Sequence, residues 1–375
     1  MKGSINPWRV MMKGILLFLV FELALLSLAP NLGYINVYAL LGLERQRFPI
    51  NTLDATDTPL DVNNLDAMVA SHIVSRPKAP DEFRVMVLGD SAVWGLNLTP
   101  DQTLPSQIND LALSCGNKKV TTYNLSFPRS SSTKDLMILD KVVQYQPDMI
   151  LWLVTWYTLE PKTRDDHVLI AQNPEEFYKL GRRFDFLPKG YQPPTLLDKF
   201  YDLQRALFRV ARYQLYPPIQ LATGIDQIPG PPEVLPAGLS SDTTFEGLKP
   251  PTLRKSQVSL DQVRDFYELA GKTPILLINE PMLILNGIPN SDLRYNAFYP
   301  RWAYDQYRAL LAKQAAAGGW HYADWWDRID PAEFTDSPVH LTPNCVGQAP
   351  AAMIVDYYPA SWRFFLPVVL SSAIR

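Results

Sequence analysis

Ser91 stands directly after a short apolar run, Val85 to Leu88, and a turn at Gly89-Asp90. An apolar run of that length with β-branched members, bounded by small polar residues, reads as a buried strand. Open α/β sheets receive their ligands at the carboxyl ends of such strands, and a strand end holds a reactive group rigidly. A serine hydroxyl is inert until a base takes its proton. His340, just before the helix start signal Thr342-Pro343, is the candidate base. A second strand end carries Asn279-Glu280, where a glutamate can act as acid or base; no carboxylate at a defined spacing partners it. His72 reads as a surface histidine without a partner, and His167 and His321 as bystanders. Four dispersed histidines and two cysteines offer no ligand spacing, so no metal and no cofactor is expected.

These residues need a scaffold, and the pattern around them supplies one. Pro100 to Leu113 reads as an amphipathic helix, Val120 to Leu125 as a second strand and Thr133 to Gln144 as a helix. Asp148 to Thr155 is apolar on both faces, as a central parallel strand must be. Strand and helix alternate at the spacing of a doubly wound α/β domain. The fold class expected is α/β, a three-layer parallel sheet of flavodoxin-like type. The rhythm breaks at about 158–255. Helices are expected at Glu175 to Leu187 and Thr195 to Tyr213, followed by prolines from 217 to 251. This stretch reads as a lid-like, proline-rich insertion, or as a docking surface. The rhythm returns with a helix at Val258 to Ala270, a strand from Pro274 to Glu280, a helix at Tyr299 to Ala317 and an edge strand at Trp320 to Trp325.

Gly89-Asp90-Ser91 with Gly95, and Asp336-Ser-Pro-Val-His340 about 250 residues on, resemble the first and last blocks of the SGNH/GDSL hydrolases. That resemblance implies a Ser-His-Asp site acting on acyl esters, often of sugars, with Ser91 as nucleophile, His340 as base and Asp336 as acid. The family places its acid three residues before the histidine, where this chain has Ser337; Asp336 lies four before. Pro338 forces Ser337 towards an extended backbone, so a one-residue bulge would bring Asp336 to the imidazole. Asp324, Asp327, Asp330 and Glu333 are the other acids in reach. The resemblance also implies an oxyanion hole. Ser91 supplies one N–H. Counting five from Asn124 gives the N–H of Arg129, and the family's third-strand asparagine is replaced by the neighbourhood of Thr155 and Tyr157. By the same resemblance, anchored proteins of this type work beside multi-span membrane acyltransferases, so hydrolysis and acyl transfer on an exported or cell-surface glycan both stand open. A binding or assembly module that keeps the fold without effective catalysis is the reading of a different class.

The rest of the chain bounds these readings. Its 375 residues are enough for a large core. A net charge of -3 without a long basic run gives no case for nucleic acid. The 33 prolines are roughly twice the usual share. Lys2, Arg9 and Lys13 precede an apolar stretch from Gly14 to Ala29. With Val10 to Met12 added, it approaches the roughly 17–25 residues of a membrane span, interrupted by Glu22. Residues 1–43 are therefore expected to be a transmembrane anchor, with a cleaved signal peptide as the alternative. The positive flank would keep the N-terminus inside and the rest of a single-pass cell-membrane protein outside the cytoplasm. Residues 44–80 read as a polar linker and 81–375 as the α/β domain. Cys115 and Cys345 are expected as free, buried thiols at opposite ends of the sheet.

Overall fold

The protein is described from a computed structural model, which covers residues 6–28, 45–49, 64–201, 203–204 and 238–342. Six strands form one sheet: β1 (Glu82–Leu88), β2 (Ser114–Cys115), β3 (Lys118–Asn124), β4 (Met149–Val154), β5 (Ile275–Asn279) and β6 (His321–Asp324). Their spatial order is β2-β3-β1-β4-β5-β6. All pairs are parallel except β2 with β3. The expected all-parallel sheet is thus mostly parallel, with a short antiparallel strand on one edge. Gly116 (φ +60) turns the chain back between β2 and β3, a turn too short for a crossover.

The helices, in chain order, are α1 (Pro7–Leu28), α2 (Leu65–Ser71), α3 (Ser91–Trp94), α4 (Leu104–Asp110), α5 (Ser132–Val142), α6 (Trp156–Leu159), α7 (Val168–Gln172), α8 (Pro174–Phe184), α9 (Leu260–Ala270) and α10 (Arg301–Gly318). Strand alternation divides the core between the two faces. Met86, Leu88, Ile150, Trp152 and Leu277 pack with α2, α5, α8, α9 and α10 on one face. Val85, Val87, Leu151, Leu153 and Ile278 pack with α4 on the other. The ring of Trp152 stacks on Phe266 at 3.8 Å, which welds α9 to the middle of the sheet. The chain winds from β1 outwards to β3, then crosses back to β4 on the other side of β1. The reversal makes the β1–β4 boundary the switch point, where the crevice of such a sheet opens.

Three expectations are corrected. The supposed linker at 44–80 is part of the core where it is described. Arg45, Arg47, Phe48 and α2 are buried, and Arg45 bridges to His72. His72 is fully buried rather than at the surface. It faces the Gln46 carbonyl at 3.0 Å through Nε2 and accepts the Val74 N–H at Nδ1. Burial depresses it to a pKa of about 4. The insertion at 158–255 begins with core, since Leu169, Phe177 and Leu180 of α7 and α8 pack on the main cluster. The expected helix Thr195 to Tyr213 is helical at 196–201 and 203–204, where it is described; its remainder, the prolines from 217 to 237 and Cys345 lie outside the described residues. Cys115 carries a free thiol, partly buried on β2.

The expected transmembrane anchor finds no support among the described residues. Among the described residues no helix is long and apolar enough to cross a membrane. The apolar run lies within the 22-residue helix α1, which also carries Arg9 and Lys13 ahead of the run and Glu22 inside it. Most of its large apolar side chains are exposed, Leu17 by 69%.

Candidate active site

The turn that presents Ser91 is built by close approach. A Cβ on Gly89 would lie 2.6 Å from Val93 Cγ2, so only glycine lets β1 run directly into α3. Asp90 caps α3 by accepting the Ala92 N–H at 2.9 Å, and its other oxygen accepts from Ser130 Oγ at 2.7 Å. Beneath the turn, the buried Lys134 donates to the carbonyls of Gly89 (2.8 Å) and Phe127 (2.7 Å). One ammonium thereby ties the loops after β1 and β3 together. At the far end of α3, Arg47 donates to the carbonyls of Trp94, Gly95 and Leu98, and its guanidinium lies 3.8 Å from the Trp94 ring centre. Asn124 donates to the carbonyls of Val93 and Trp94.

The structure brings Ser91, His340 and Asp336 together. His340 Nε2 lies 2.8 Å from Ser91 Oγ, and His340 Nδ1 lies 2.9 Å from Asp336 Oδ1. A carboxylate only accepts, so Nδ1 carries the proton and Nε2 accepts from the serine hydroxyl. The extra residue between acid and histidine is absorbed by a hairpin. Phe334 bridges Leu341 in antiparallel fashion, and the Thr335 N–H donates to the His340 carbonyl at 2.9 Å. Asp336 to Val339 form the turn, so Asp336 and His340 stand at its two ends. The Leu283 N–H docks this turn onto the loop after β5 by donating to the Pro338 carbonyl at 2.7 Å. Burial raises the Asp336 carboxyl, but hydrogen bonds and charge from His340, with further bonds from Asn97 and Thr335, outweigh it. The group is held below the ordinary carboxylate range.

A pocket of about 380 Å³ opens beside Ser91. Arg129, Thr155 and Tyr157 line it, with Phe298, Tyr299 and the 337–339 turn closing the far wall. Arg129 has φ +67. The preceding peptide is fixed by His167, whose Nδ1 accepts the Leu169 N–H at 3.0 Å and whose Nε2 therefore donates to the Pro128 carbonyl at 3.0 Å. Burial and the nearby Lys134 charge push this imidazole down to about 3, so it stays neutral. Across a trans peptide N–H and C=O point in opposite directions, and His167 sets the direction of the Arg129 N–H. The Thr155 hydroxyl caps α6 by accepting the Thr158 N–H. Burial, then Glu246 and Glu160, push the Tyr157 hydroxyl up to about 12.

Other sequence candidates lie apart. Glu280 is buried at the end of β5, and its Oε1 makes no hydrogen bond among the described residues. Burial, with the charges of Asp90 and Asp135, raises it well above an ordinary glutamate. Asp324 is taken by Asn279 and Arg308, Asp330 caps a short turn, and Glu333 accepts from Thr342. His321 is exposed on β6. Sequence reasoning missed Asn97, Arg47, Lys134 and His167, because polar residues in turns and caps give no signal of what they will reach in space. Among the described residues no cluster of histidine, cysteine or carboxylate could hold a metal ion.

No family model matches the chain, and no curated protein does. Among solved structures, the chain is similar to a carbohydrate acetylesterase family member from Sinorhizobium meliloti, at 12% identity over 73% of this chain and 98% of that one, TM-score 0.33. It is also similar to an aryl esterase from M. smegmatis, at 10% identity over 73% and 99%, TM-score 0.32. The structure of Est24, a carbohydrate acetylesterase from S. meliloti, gives 9% identity over 73% and 99%, TM-score 0.31. Likeness of this order leaves the chemistry to be read from the site itself.

Proposed function

We propose that the protein is a serine esterase or O-acyltransferase acting on acyl esters of a glycan. The observation that carries this reading is the chain of contacts from Ser91 Oγ to His340 Nε2 (2.8 Å) and from His340 Nδ1 to Asp336 (2.9 Å). Ser91 Oγ attacks the ester carbonyl while His340 takes its proton. The same imidazolium then protonates the leaving alkoxide, which departs as the alcohol and leaves the acyl group on Ser91. Asp336 stabilises the imidazolium throughout. Water or a sugar hydroxyl, deprotonated by His340, then attacks the acyl-serine, the acyl–Oγ bond breaks and the imidazolium returns the proton to Ser91 Oγ; hydrolysis and transfer differ only in that second nucleophile. The N–H groups of Ser91 and Arg129 are the proposed oxyanion donors. The aromatic wall of Tyr157, Phe298 and Tyr299 beside polar Ser130 and Asp166 suits a sugar ring, which presents C–H faces and hydroxyl edges together.

The test is turnover of p-nitrophenyl acetate by the protein, Ser91→Ala and His340→Ala. The expected result is a loss of at least about 100-fold in each variant with folding intact. Equal turnover by all three would sink the reading. The alternative of an inactive binding module called for a serine and histidine out of reach of each other, and a 2.8 Å separation favours chemistry instead. We further place the protein at a membrane surface outside the cytoplasm, beside a membrane acyltransferase if it transfers. The support is α1, whose Trp8, Leu16 and Leu17 are each more than 60% exposed. Flotation with anionic vesicles checks this, and Leu16→Lys with Leu17→Lys is expected to abolish it.

A further inference from the structure

Three donors converge on one oxygen of Asp336. His340 Nδ1 is 2.9 Å from Oδ1, Thr335 Oγ1 is 3.0 Å and Asn97 Nδ2 is 2.9 Å. Thr335 rides on the same hairpin as Asp336 and fixes the carboxylate only relative to its own turn. Asn97 comes from the opposite wall, in the loop that leaves α3, 239 residues away in the chain. We propose that Asn97 is the positioning residue of the catalytic acid: its side-chain amide ties Asp336 to the loop that follows α3, the helix that begins at Ser91. This rests on reading Ser91, His340 and Asp336 as the reacting set.

The loop is constructed to hold Asn97 in place. Gly95 (φ +87) and Asn97 (φ +67) both adopt the left-handed conformation, which glycine and asparagine tolerate best. The Leu98 N–H closes the turn on the Gly95 carbonyl at 3.0 Å. Arg47 grips the carbonyls of Gly95 and Leu98, on either side of Asn97, at 2.9 Å each. The amide is therefore delivered from a fixed backbone. Asp336 needs that tether, because its side chain is 24% exposed and water competes for the carboxylate. A carboxylate turned to water no longer holds the imidazole in the Nδ1–H tautomer, and the base is lost. Asn97 donates only to an ionised or accepting oxygen, so it also keeps Asp336 in the charged form that the imidazolium requires.

The test uses Asn97→Gly, which retains the left-handed backbone and removes the amide. The expected result is a fall in kcat of about 10-fold with KM within about twofold, the loss of one hydrogen bond to a charged group. Asn97→Asp, which opposes one carboxylate with another, is expected to lose more. In the pair Asn97→Gly with Asp336→Ala, the loss should equal that of Asp336→Ala alone. Losses that multiply would mean Asn97 acts independently of the acid and would overturn the proposal. A readout without turnover is the downfield proton resonance of His340 Nδ1–H, identified by its absence in His340→Ala. It should move upfield and exchange faster with water in Asn97→Gly; an unchanged resonance would overturn the assignment. A protein with no esterase turnover at all would fail the functional reading, while the resonance would still decide the role of Asn97.

Discussion

Arg129 occupies, at φ +67, a backbone conformation that costs an ordinary L-residue about 1–2 kcal/mol. Glycine would sit there without strain and present the same N–H. Arg129→Gly is therefore expected to keep ester turnover within about threefold and stability within about 1 kcal/mol. A loss near 100-fold would move the oxyanion role to the guanidinium. Glu280 gives the opposite kind of prediction. Its carboxyl is buried and raised well above the ordinary glutamate range, so Glu280→Gln, of the same shape, is expected to remove little that the fold or the chemistry uses. Thermal midpoint and turnover should both match the parent, whereas a large loss of turnover would restore Glu280 as an acid or base. At this scale the meeting of Ser91 and His340 was legible in the sequence, because a strand-end serine and a late histidine stand out by residue type. Asp336 was legible only through the resemblance, and its hairpin placement was not. Asn97 was invisible: an asparagine in a turn looks the same whether it caps water or a catalytic acid.

The strands were the most legible elements. The run of β4 is apolar on both faces and the alternation of β1 is carried by β-branched residues, so burial alone dictated them. The segment around Arg45 to Phe48 was misread for a physical reason. Charged residues signal a solvated surface until they find partners, and the guanidinium of Arg47 finds three carbonyls and an indole face. Arg47→Ala would leave those carbonyls without this donor in a buried site, and roughly 3 kcal/mol or more of stability should be lost in denaturant unfolding. The turn that presents Ser91 is anchored by the same contacts, so turnover should fall with stability. Arg47→Lys, a point charge without the fork, should recover only part of both.

Across the molecule, the buried histidines set the acid limit of the fold. His72 is neutral when folded, with a pKa of about 4 against 6.5 unfolded. Below pH 6.5 the unfolded chain takes up a proton that the native state refuses, so stability falls as pH drops towards 4. The His72 contribution to that loss is roughly 3 kcal/mol. His167 works in the same direction, at about 3. Chemical unfolding at pH 7, 6 and 5 should show a declining midpoint, with a shallower decline in His72→Gln. A flat profile in the parent would contradict the burial of both imidazoles.

The turn bearing Asp336 and His340 also has a consequence in time and temperature. It closes a contact 249 residues long with Ser91, yet among the described residues its backbone is docked from outside the hairpin by one bond, from Leu283 to Pro338, beside the side-chain bonds to Ser91 and Asn97. The six described strands make their sheet without it. Segments with so few buried tethers open at a fraction of the global unfolding free energy. The protein should therefore lose its working site while still folded. Ester turnover should vanish reversibly at a denaturant concentration below the one that melts the sheet, and the Thr335 and Leu283 amides should exchange with solvent ahead of those of β4. After refolding, activity should return last.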